Sequence, residues 1–128
     1  MSYHISKQVD MSYEDALARV TEELKKEGFG IITEIDIKAV LKKKLDVDFR
    51  NYKILGACNP NYAYKALQSE DKIGTMLPCN VIVQQHNDGT VEISAIDPIA
   101  SMQAIENKDL GIIATEVQGK LRKAVENV

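Results

Sequence analysis

The sequence is short of the features that usually announce a function. It has two cysteines in 128 residues, and they form no C-x-x-C pair. A disulfide framework is therefore not expected, and both should be free thiols in a reducing compartment. Apolar runs are only a few residues long, far short of the roughly 20 needed to cross a bilayer, and the opening "MSYHISKQV" lacks the apolar centre of a signal peptide. These absences lead us to expect a cytoplasmic protein with no membrane partner. There is no surplus of positive charge either. A formal net charge of −3 argues against a nucleic-acid partner, because phosphate binding depends on an excess of Lys and Arg. No Gly/Ser-rich or repetitive stretch marks a linker, so residues 1–128 are expected to form one domain.

What is present is an alternation of strand and helix patterns. Tyr3 to Val9 alternates, with Tyr3, Ile5 and Val9 opposite His4, Ser6 and Gln8. Ser12 and Asp15 resemble a capping box, followed at helical spacing by Tyr13, Ala16, Leu17, Val20 and Leu24 and terminated at Gly28. "FGIITEIDI" is β-branched and reads as a strand, with Ile31, Thr33 and Ile35 opposite Ile32, Glu34 and Asp36. Asp36 then caps a short helix expected to turn Ile37, Val40, Leu41 and Leu45 inward. Tyr52 to Cys58 alternates weakly, which predicts a central strand buried on both faces. Asn59 and Pro60 supply an N-cap and a first helical residue for a helix to Ser69. "NVIVQQH", the turn "NDGT" and "VEISAI" form a hairpin, Asp97-Pro98 repeats the cap-then-proline device, and a final helix carries Ile113, Val117, Leu121, Ala124, Val125 and Val128 inward. The expected class is α+β, a mixed, mainly antiparallel sheet of about five strands covered by helices. Ile5, Leu17, Val20, Leu24, Ile54, Val81, Val83, Ile93 and Leu121 are expected to share its core.

The blocks "GFGIITEIDI", "YKILGACNP", "ALQSE", "LPCNVIVQQ" and "AIDP", in this order, resemble the bacterial and archaeal family catalogued as domain of unknown function 302. The resemblance spans almost the whole chain. It implies a small α/β domain with a mixed sheet, often a homodimer, and no established activity. It also singles out Glu34 and Asp36, Cys58, Asn59 and Pro60, Pro78, Cys79 and Asn80, and Asp97 and Pro98. The chain departs from the family pattern where Met76 replaces an aliphatic residue and Tyr62 stands in the first turn after "CNP".

Chemically, the two Cys-Asn segments stand out. A thiol before a helix N-terminus is favoured as the thiolate, which makes Cys58 the candidate nucleophile, with Cys79 as a partner; the plainer alternative is that both are small core residues. A structural zinc site is not expected from Cys58, Cys79, His4 and His86, which lack zinc-ligand spacing. Glu34, Asp36 and Asp97 could contribute to an acidic site, although helix capping already accounts for Asp36 and Asp97. The basic stretch with Lys42, Lys43, Lys44, Arg50, Phe49 and Tyr52 is read as a solvated helix face followed by core aromatics, and "GFG" is no phosphate loop. No cofactor fingerprint is present. Two functions remain open: a dimeric module binding a small anionic or carbonyl ligand between the two segments, and a thiol-dependent enzyme or redox protein. The first places Cys58, Asn59, Pro60, Cys79 and Asn80 together, which requires the strand ending at Cys58 and the strand starting at Cys79 to run antiparallel. Tyr62 and Tyr64 are candidates for the dimer surface.

Overall fold

The computed structural model describes residues 2–128. Eleven elements follow one another: β1 (His4–Val9), α1 (Tyr13–Lys26), β2 (Gly30–Asp36), α2 (Ile37–Leu45), β3 (Tyr52–Cys58), α3 (Pro60–Ser69), a 3-10 turn (Ile73–Met76), β4 (Cys79–Gln85), β5 (Val91–Ile96), α4 (Pro98–Ser101) and α5 (Lys108–Glu126). The strands form one sheet in the order β1-β5-β4-β3-β2, antiparallel at every pairing. The class is α+β, a single compact domain.

Local chemistry explains the boundaries around the sheet. The Ser12 side chain accepts a hydrogen bond from the Asp15 N–H at 3.0 Å and starts α1. Gly28, at φ +89°, ends it: the Gly28 N–H donates to Lys25 O and the Phe29 N–H to Leu24 O, satisfying carbonyls that the last turn leaves free. The Asp88-Gly89 turn closes the β4–β5 hairpin, with Gly89 at φ +90° and Asp88 Oδ1 accepting from the Thr90 N–H and hydroxyl.

One face of the sheet turns Ile5, Val81, Val83, Ile93 and Ala95 toward Val20 and Leu24 of α1 and Leu121 and Val125 of α5, all buried in one cluster, with Leu17 packed at its border. A second, smaller cluster gathers Ala66 of α3, Ile73 of the 3-10 turn, Met102 just after α4, and Leu110 and Ala114 of α5; the sequence did not anticipate it.

Three local expectations are corrected. β3 sends side chains into the core on one face only: Leu55 and Ala57 enter it, whereas Ile54 lies on the other face in the register row Ile35–Ile54–Ile82–Ser94–Ser6, none of which is buried, and on that face Gly56 alone of β3 is covered, by Thr33 and Pro78. Ile54 is therefore not a core residue. A β-bulge between Ile31 and Thr33 shifts the phase of β2, so Ile31 packs on the core, on the side of Glu34 and Asp36 rather than opposite them. Finally, α2 buries none of its residues; Ile37, Val40 and Leu41 rest half-exposed and Leu45 is 67% exposed, because the helix lies at the sheet edge with its main contacts to β2 and β3.

Candidate functional site

The antiparallel pairing of β3 with β4 sets Ala57 opposite Cys79, bringing the end of one strand and the start of the other to the same end of the sheet. A cavity of about 320 Å³ opens there. It lies between the two apolar clusters, and small side chains on facing elements account for it. Ala57 and Cys79 form the sheet side, Ala63 and Ala66 come from α3, and Ala114 from α5. Alanine at these positions leaves a gap that larger side chains would fill. Phe29, Leu77, Pro98, Met102, Ile113 and Val117 complete an almost wholly apolar wall without a charged residue, and the exposed Ile32 and Leu67 form a rim.

Of the residues singled out in the sequence, Cys58, Asn59, Pro78, Cys79 and Pro98 line this cavity. Cys79 is buried and Cys58 half-buried, both with free thiols. Burial, with a smaller contribution from neighbouring Cys58, pushes the Cys79 thiol up to about 11, which holds it protonated at neutral pH. Both histidines are engaged elsewhere, His4 with the Ser6 hydroxyl at 2.6 Å and His86 with Glu92 at 3.3 Å.

Asn59 departs from its expected role. Its side chain makes no cap bond to α3. Instead Asn59 Nδ2 donates to Glu27 O at 3.3 Å, tying the start of α3 to the end of α1. Gly28 allows this approach, since a Cβ there would stand 2.9 Å from Asn59 Nδ2. Pro60 occupies the first turn of α3, facing a neighbouring cleft rather than the cavity.

The remaining sequence candidates do not converge. Asn80 is exposed, and strand alternation sends it to the face opposite Cys79 and Val81, away from the cavity. Asp36 caps α2, accepting from the Ala39 N–H at 3.1 Å. Asp97 accepts from the Ile99 N–H at 3.0 Å and from Gln118 Nε2 at 3.1 Å. Glu34 pairs with Lys53 at 3.2 Å. Among the described residues no group of three or more His, Cys, Asp or Glu side chains could hold a metal ion. The Arg50 guanidinium donates twice to Gln84 Oε1 and lies 4.5 Å from the Phe49 ring centroid, so that aromatic and basic segment is knitted into the sheet.

Sequence reasoning missed the greater part of the cavity wall, notably Phe29, Ala66, Met102 and Ala114. The one signal available was the recurrence of alanine at Ala63 and Ala66 in a helix next to the CNP segment.

A cleft outside the cavity shares two of its residues, Asn59 and Tyr62, and adds Lys26, Glu27, Gly28, Pro60, Asn61, Tyr64, Lys65 and Lys120. Tyr62 is packed against the core and only Tyr64 of the pair is exposed, at 65%. No helix among the described residues is long and apolar enough to cross a membrane.

The family model described as "Domain of unknown function DUF302" matches residues 5–128. Among solved structures the chain is similar to an uncharacterized conserved DUF302 protein from Bacillus stearothermophilus. The TM-score is 0.92 at 28% identity, over 99% of this chain and 98% of that one. Comparison with curated proteins finds no match.

Proposed function

Given that the chain belongs to the DUF302 family, we propose that it is a cytoplasmic, homodimeric binding module holding a small, largely apolar molecule between the CNP and PCN segments. The observation carrying this reading is the cavity of about 320 Å³ with its carbon-rich, uncharged wall. A polar anion alone would leave its hydration shell without replacement in such a wall, whereas an apolar body would be favoured by burial. An engineered apolar cavity of about 150 Å³ takes up benzene, so this one matches a body of roughly a dozen heavy atoms. In this reading Cys58, Asn59 and Cys79 are wall residues. The anionic or carbonyl ligand expected from sequence gives way, within the cavity, to an apolar one. The alternative, a thiol enzyme or redox protein pairing Cys58 with Cys79, finds less support, because burial holds Cys79 protonated and both histidines are occupied elsewhere.

Naphthalene titrated into isotopically labelled protein is expected to shift the resonances of Ala57, Ala63 and Ala114, and the Ala63→Phe variant, folded by circular dichroism, is expected to lose the response. Saturating naphthalene without shifts at these alanines refutes the reading. For the dimer, sedimentation equilibrium is expected to give twice the 14.3 kDa chain mass; a monomer throughout the micromolar range refutes that part.

A further inference from the structure

We propose that the ligand is an amphipathic acid, with its apolar body in the cavity and its carboxylate in the neighbouring lysine cleft; this rests on the binding reading above. The cavity and the cleft meet at Asn59 and Tyr62, which line both. The ammonium of Lys65 stands 5.8 Å from the centroid of the Tyr62 ring, so a cation is stationed at the boundary.

Charge accounting in the cleft favours an anion. Lys26 is held by Glu23 at 2.8 Å, and Glu27 faces Lys123 at 3.6 Å. Lys65 and Lys120 have no carboxylate partner among the described residues, and Lys120 is half-buried, where an unpaired ammonium is least well solvated. A carboxylate between them would supply the missing counter-charge. Lys65 also borders the cleft on the other side of Ile113, but there Asp109 and Glu116 outnumber it, so an acidic head is favoured on the Lys120 side. The Tyr62 hydroxyl also faces Glu116 of that acidic cleft. Elsewhere the cavity rim is apolar, at Ile32 and Leu67.

Calorimetric titration of decanoate and decanol at neutral pH and low ionic strength separates body from head. Decanoate is expected to bind roughly ten-fold more tightly than decanol, the sum of two partly exposed ion pairs. That advantage should vanish in the Lys65→Gln/Lys120→Gln variant and shrink with added salt, while decanol affinity stays unchanged. Equal binding of both compounds, or an advantage that survives the double substitution, overturns the acid inference and leaves the cavity reading standing. Failure of both compounds to bind overturns the cavity reading itself.

Discussion

Replacing Gly56 with alanine tests the packing at the end of the sheet. Glycine in a strand interior normally weakens it, so Gly→Ala in an unobstructed strand should stabilise by about 0.5–1 kcal/mol. At Gly56 the opposite is expected. It pairs with Thr33 on one side and Asn80 on the other, and a Cβ there would collide with Thr33 Oγ1 and stand 2.8 Å from Pro78 Cγ. Neither neighbour can retreat easily, because Thr33 is β-branched and adjoins the bulge, and Pro78 is a ring. Overpacking of this kind costs about 1–3 kcal/mol. At about 4 °C per kcal/mol for a chain of this length, the melting temperature should fall by about 4–12 °C, as read by thermal circular dichroism. Thr33→Ala removes the hydroxyl oxygen but leaves its own Cβ at 3.4 Å and Pro78 in place. The double variant should therefore recover part of the loss, giving a coupling on the order of 1 kcal/mol. A Gly56→Ala protein that melts at or above the parent temperature would refute the packing argument.

Leu24→Ala should cost about 2–5 kcal/mol through lost burial and a cavity, since Leu24 is 0% exposed; Ile54→Ala, on the half-exposed face, should cost at most about 1 kcal/mol. Similar denaturation midpoints for the two variants would contradict the assignment of faces. Stability should also fall in alkali. The folded protein keeps a proton on Cys79 up to about 11 and on Tyr13 up to about 12, the latter raised chiefly by burial and then by the Asp36, Glu14 and Glu34 carboxylates. The unfolded chain releases these protons earlier, near the ordinary 9.0 and 10.0. Their contribution is thus complete below pH 9 and lost as pH rises through 9 to 12. Cys79→Ala should flatten the decline between pH 9 and 11, and an unchanged slope would count against it. In the native protein iodoacetamide should label Cys58 before Cys79; the reverse order would contradict the burial of Cys79.

Much of this fold is written locally. Ser12, Gly28, Asp36, Asp88-Gly89 and Asp97-Pro98 act on backbone groups within a few residues of themselves, so the boundaries of α1, α2, α4 and the hairpin follow from short-range chemistry that any reader of the chain can apply. The alternation of β1, β4 and β5 likewise reports which side chains reach the core. Side-chain type alone did not report the rest, because it depends on neighbours distant in sequence. Ile54 and Leu55 are equally apolar, and only the position of α1 and α5 on one face decides which is buried. The bulge in β2 moves Ile31 to the core side by inserting one unpaired residue, a change of phase that composition does not show. Asn59 has the chemistry of an N-cap, yet its amide is captured by Glu27 O because Gly28 lets it approach. The requirement for glycine at position 56 comes from Thr33 and Pro78, which lie 23 and 22 positions away along the chain. The cavity is the clearest case. Its wall joins β2, β3, α3, the segment before β4, the start of β4, α4 and α5, and its volume is what remains when alanines on three of those elements face one another. Antiparallel pairing, a tertiary choice, then brings Cys58 and Cys79 to the same end of the sheet, while the period of the strand turns Asn80 away from it.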